Sequence, residues 1–147
     1  MRRFTFRGQD EDGKWLYGDL RQRIGYWPAI IESYCTDEGK VGYREIAVKE
    51  ETVGRLTPLK DKNGKDIYEG DILRSPLGNI VAVEFGYKEH IVKHGRPYIT
   101  DSFACYGWIA RNVKNGITDF FDNEFAAGEV IGNIYDNPEL LNKKLSV

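Results

Sequence analysis

The stretch Asp61-Lys62-Asn63-Gly64-Lys65-Asp66-Ile67-Tyr68-Glu69-Gly70-Asp71-Ile72-Leu73 decides how this chain is read. Asn63-Gly64 is a hairpin signal, because the turn needs a residue that tolerates positive φ. Ile67 and Tyr68 then pack as a short strand, and Glu69-Gly70-Asp71 redirects the chain into a strand at Ile72. The same order occurs earlier, in Asp10-Glu11-Asp12-Gly13-Lys14-Trp15-Leu16-Tyr17-Gly18-Asp19-Leu20. The offset is 51 through the tyrosines (64 − 13) and 52 afterwards (70 − 18), because Glu69 is inserted. This echo predicts two similar β units, about 1–50 and 51–147, packed around one core in a single domain, 1–147.

Strand signals continue in both directions. Phe4 and Phe6 alternate with polar neighbours, and Trp15 to Leu20 forms the returning strand. Tyr26 to Ile31 is a strand that Pro28 places at an edge or bulge. After the polar turn Thr36 to Lys40, Val41, Tyr43, Ile46 and Val48 predict a strand with a register break. Thr52 to Leu56 reads as a strand closed by Pro58. Ile72-Leu73 and Ile80 to Phe85 flank the turn Ser75-Pro76-Leu77-Gly78, and Phe103 to Ile109 and Val130 to Tyr135 are further strands. Thr118 to Ala127 is read as helical with its cap at the start, and Pro138 to Leu141 as a terminal helical turn. Tyr87 to Tyr98 is dense in charge and interrupted by Gly95 and Pro97, so it is expected to be an insertion-like excursion between strands. The expected fold is mainly β, a barrel-like arrangement of short antiparallel strands with minor helical segments.

Composition narrows the function classes. Hydrophobic residues make up 41% and charged residues 30% of 147 positions, which excludes a disordered tail protein. Twenty-one basic against 23 acidic side chains give a net charge of −2, unlike a strongly basic nucleic-acid binder. Met1 to Gly13 holds no apolar core of a secretory signal, and no apolar run approaches the ~18 residues of a bilayer span. Cys35 and Cys105 are expected as two reduced thiols in the cytosol.

Chemistry-bearing patterns are sparse. Asp10, Asp12, Gly13 and Asp19 fall at EF-hand positions three, five, six and twelve, but position one is Gly8, which offers no ligand. A side-chain-capped hairpin turn explains the loop without calcium. His90 and His94 would be metal-ligand neighbours on a helix, yet on a strand they lie about 13 Å apart. Cys105 reads as a buried small hydrophobe, and Cys35 as the more exposed thiol. Glu50-Glu51, on a strand, would face opposite ways and form no catalytic dyad. Neither G-x-S-x-G nor a phosphate-cradling glycine loop occurs. The expectation is therefore no enzyme, no cofactor and no metal. The best-motivated alternative is single-stranded nucleic-acid binding by Tyr87, Lys88, His90, Lys93, His94, Arg96 and Tyr98, with Trp15, Trp27 and Trp108 as further stacking rings if exposed.

Thr52-Val53-Gly54-Arg55-Leu56-Thr57, continued by Leu59 to Leu73, resembles the central signature of the YopX protein family. Glu129-Val130-Ile131-Gly132-Asn133-Ile134-Tyr135-Asp136-Asn137-Pro138-Glu139-Leu140-Leu141 is similar to its closing motif, and Phe4 to Tyr17 to its opening. The resemblance implies a small phage- or prophage-encoded protein with a mainly β, barrel-like structure. It implies no activity and carries over no site residue. The resulting expectation is a non-catalytic binding or interaction module in the cytoplasm of a bacterial host. Its partner would be a host or phage protein rather than a membrane. Uncovered strand edges also leave room for homo-oligomers.

Overall fold

The computed structural model describes residues 5–97 and 99–141. Eleven strands form two antiparallel sheets among them. The first has the order β4-β3-β2-β1-β5-β6, with β1 Phe6–Gln9, β2 Trp15–Arg21, β3 Ala29–Cys35, β4 Val41–Ala47, β5 Gly54–Lys60 and β6 Asp66–Tyr68. The second has the order β10-β9-β8-β7-β11, with β7 Asp71–Arg74, β8 Ile80–His94, β9 Ile99–Asn112, β10 Thr118–Phe120 and β11 Glu129–Asn133. The mainly β, antiparallel expectation holds; neither order returns to its first strand, so no closed barrel is found among the described residues and the barrel-like part of the expectation is not shown. In strand β4, Val41 and Tyr43 are exposed and only a minor part is covered.

The chain forms two compact units. The first runs to Pro58 and takes in Asp66–Gly70; the second takes Leu59–Lys65 and everything from Asp71 onward. In the first, Leu16, Ile30 and Val48 are fully buried, with Phe6, Leu20, Ile46 and Val53 packed against them. Ile67 and Tyr68 are buried in the same unit. The second buries Ile72, Leu73, Val81, Val83, Ile109, Ala110 and Phe121.

Four hairpin turns share one construction, and two of them are the turns of the sequence echo. In Asp10–Lys14 and Asp61–Lys65 the first N–H donates to the last carbonyl, and the glycine N–H donates to the first carbonyl. Asp10 Oδ1 accepts from the N–H groups of Asp12 and Lys14, both at 2.9 Å. Asp61 Oδ1 accepts from Asn63 at 2.8 Å and Lys65 at 2.9 Å. Thr36–Lys40 and Ser75–Asn79 repeat the backbone pattern with a hydroxyl as the side-chain acceptor. The fourth residue is glycine each time, with φ between 77° and 86°, a region costly for other residues.

Several expected boundaries move. Pairing of β3 with β4 runs unbroken from Ala29↔Ala47 to Cys35↔Val41, without the expected register break. The Tyr34 ring lies where a Cβ on Gly42 would sit, so the glycine admits the ring across the strands. Pro58 lies inside β5, beyond Gly54 and Arg55, which pair with β1. Glu50 and Glu51 stand on a 3-10 turn, Glu50–Thr52, rather than on a strand. Thr118 starts β10, and the helix α1 is shorter, Asn123–Ala126. Its cap is Asp122, whose side chain accepts from the N–H groups of Glu124 and Phe125. Pro138–Leu141 is the expected terminal turn. No helix among the described residues is long and apolar enough to cross a membrane.

Candidate functional site

The stretch 87–98 is not an excursion. It is the outer part of a long hairpin in which β8 pairs with β9 from Val81↔Asn112 to His94↔Ile99. The alternation of Tyr87, Glu89, Ile91 and Lys93 with Lys88, His90, Val92 and His94 is a strand pattern. The punctuation at Gly95 and Pro97 forms only the tip. At its root the hairpin belongs to the sheet: β7 pairs with Ile80 to Ala82, and β10 with Ile109 to Arg111. Arg111 clamps the root, donating from Nε and Nη2 to the Glu84 carboxylate at 2.8 and 3.1 Å and from Nη1 to the Gly116 carbonyl. The Glu84 carboxylate thereby raises the Arg111 pKa further.

Beyond that root, from Gly86↔Gly107 to His94↔Ile99, no third strand pairs with the ribbon among the described residues. Two glycines face each other at the start of this arm, and a Cβ on Gly107 would meet nothing within 4 Å. Outside them the ribbon extends about 25 Å. Its base carries a ladder of rings on one face. Phe85 and Trp108 are directly paired with centroids 5.2 Å apart, and Tyr87 and Tyr106 are paired at 5.7 Å, both edge to face. Tyr87 is 56% and Tyr106 76% exposed.

Strand alternation divides the seven residues of the nucleic-acid reading. Tyr87 and Lys93 occupy one parity of β8, and Lys88 and His94 the other. Lys88 turns back toward β10: its Nζ donates to the Thr118 carbonyl at 2.9 Å and to Thr118 Oγ1 at 3.2 Å, and it lies 5.6 Å from the Phe120 ring centroid. Arg96 is in the exposed tip turn. His90 stands opposite Phe103 in register, four residues before His94, at strand spacing rather than helical spacing. Tyr98 lies outside the described residues. Cys105 is exposed, not buried, because it sits on the arm opposite Lys88, where no second layer covers it.

Two features escape sequence reasoning. Arg7, an apparent polar neighbour of Phe6, is only 5% exposed. Its guanidinium lies 4.4 Å from the Trp15 ring centroid and 5.0 Å from that of Tyr68, and Nη2 donates to the Glu69 carbonyl at 3.3 Å. Trp15 and Tyr68 both belong to the echo, but nothing in it places Arg7 against them. The second feature is the loop between β2 and β3, where Tyr26 is 73% and Trp27 60% exposed rather than core.

The two motifs with the strongest family character meet within the second unit. The Lys62 N–H donates to the Gly128 carbonyl at 2.9 Å, Val130 N–H donates to Asp61 Oδ2 at 3.1 Å, and Lys62 Nζ lies 3.6 Å from the Glu129 carboxylate. Burial alone would raise the Asp61 pKa. The amides of Lys65, Val130 and Asn63, with the Lys65 charge, outweigh it and hold the carboxyl below its ordinary value. A family model described as YopX protein matches residues 5–142.

The chain belongs to the YopX family.

No curated protein matches the chain. In this YopX chain the family motifs are spent on structure. The Glu69 N–H donates to the Arg55 carbonyl, and its carboxylate accepts from the Arg55 N–H at 3.3 Å. In the closing motif, Asn133 Oδ1 accepts from Tyr135 and Asp136, and Asn137 Oδ1 from the Asn133 N–H. That knot explains Gly132, where a Cβ would stand 2.5 Å from Asn137 Oδ1. The arm lies outside these motifs.

Proposed function

We propose that this YopX protein is a non-catalytic interaction module of phage or prophage origin. It works in the bacterial cytoplasm and meets a protein partner through the β8–β9 arm. The observation that carries the reading is the arm beyond Gly86↔Gly107, with exposed paired tyrosines and strand edges to which no third strand is added among the described residues. Such edges accept an extended segment by strand addition, and exposed rings at the base supply anchoring area. The motifs support it indirectly, because their polar groups are consumed by turns and ladders rather than left to converge on a substrate.

The test compares two baits in lysate of infected host cells: the full chain, and a chain in which residues 87–106 are replaced by an Asn-Gly turn. Both are run with and without nuclease. A protein captured by the full chain, nuclease-resistant and lost with the arm, is the expected result. Equal capture by both baits, or no capture, overturns the reading. Capture that disappears with nuclease and weakens steeply with salt replaces it by the nucleic-acid alternative.

A further inference from the structure

The loop Gln22–Pro28 and the 3-10 turn after Lys49 enclose a cleft of about 440 Å3, lined by Gln22, Arg23, Tyr26, Trp27, Lys49, Glu50 and Glu51. This volume is within the range of small-ligand sites. We propose that it binds an extended, proline-rich peptide segment flanked by a basic residue.

Both walls are built before any ligand arrives. On one side, the Tyr26 N–H donates to the Arg23 carbonyl, and the Pro28 carbonyl accepts from Val48, a fully buried core residue. On the other, Thr52 Oγ1 donates to the Lys49 carbonyl at 2.7 Å and accepts from the Gln9 N–H at 2.9 Å, fixing the turn that carries Glu50 and Glu51. Trp27 and Tyr26 hold large rings open to solvent on a braced loop, where binding costs little ordering.

The chemistry of the lining selects the ligand. Proline has no N–H, so a polyproline II segment offers its cleft only carbonyl acceptors and ring faces. The cleft answers with the donors of Arg23, Lys49, Gln22 and the Trp27 indole, and with two aromatic faces. Glu50 and Glu51 form no ion pair with a described residue, and they complement a basic flank. Arg23 and Lys49 only balance these two carboxylates, so the lining has none of the excess positive charge that a phosphate backbone calls for.

The test follows the Trp27 indole and the backbone amides of residues 22–27 and 49–51 by proton–nitrogen NMR on the full chain. The probe is a peptide of nine prolines ending in arginine. Saturable shifts at these positions, with a Kd of about 1 mM or tighter, are expected. Trp27→Ala should weaken binding at least about tenfold, with the resonances of Leu16 and Val48 unmoved as the check on folding. Glu50→Gln with Glu51→Gln should abolish the preference for this probe over the same peptide ending in glutamate. The chain with the shortened arm should bind as well as the full chain, which separates this site from the arm. No shift at several times that concentration, shifts confined to the arm, or saturation by a glucose hexasaccharide alone would each overturn the proposal.

Discussion

Asp61 and Asp10 occupy the same place in two copies of one turn, yet only Asp61 is tied to a strand elsewhere, through Val130. Asp61→Asn should therefore cost about 2 kcal/mol in urea unfolding, against about 1 kcal/mol or less for Asp10→Asn. The sign with pH follows from the lowered folded pKa. The contribution of the carboxylate is complete above its ordinary value near 4 and is lost as pH falls through the lower folded value. The gap between the parent and Asp61→Asn should thus narrow in acid below about pH 4; a constant gap would mean the amides do not favour the charged form. Arg7 makes a different demand. Its planar guanidinium lies over Trp15 while also reaching the Glu69 carbonyl, a combination an ammonium does not reproduce, so Arg7→Lys should cost about 1–2 kcal/mol by the same measurement. Of these residues, Asp61 was legible in sequence as a turn residue. The burial of Arg7 was not, because β1 alone does not say which ring stacks above it.

At the scale of elements, the arm and its root obey different energetics. Val81, Val83 and Ile109 are buried, whereas outside Gly86↔Gly107 the ladder is held by cross-strand pairs worth roughly 0.5–1.5 kcal/mol each. Hydrogen exchange should show amides from Tyr87 to His94 opening well before those of Ile80 to Val83. Uniform protection along β8 would contradict a separate arm. Gly107→Ala adds a Cβ into open space in a strand, so it should slow exchange in the arm by about twofold to fivefold without lowering global stability. The strands themselves were readable from alternation and turn glycines. The arm is not legible in this way, because Gly95 and Pro97 punctuate the sequence as breakers of a segment whose end they only close.

For the molecule as a whole, the chain crosses between its units at Pro58, Lys65 and Gly70. The first unit is completed by Asp66–Gly70, which brings buried Ile67 and Tyr68 to it and the Glu69 groups that bind Arg55 and Arg7. A chain ending at residue 58 should then lack a cooperative thermal transition by circular dichroism, although it contains all seven residues of the cluster Leu16, Ile30, Val48, Phe6, Leu20, Ile46 and Val53 in one uninterrupted piece. A sharp transition in that fragment would show that the returning segment is dispensable.

Local chemistry sufficed for the turns, the strands they join and the family membership. A glycine at positive φ beside a capping Asp, Thr or Ser is decided within five residues, and alternation is decided within a strand. Only the tertiary structure decided that the strands divide into two sheets, that Arg7 is buried between rings, that Tyr26 and Trp27 are not, and that the β8–β9 ribbon runs past its sheet. Each of these depends on which distant surface covers a residue, and coverage is a property of the packed chain rather than of any stretch of it.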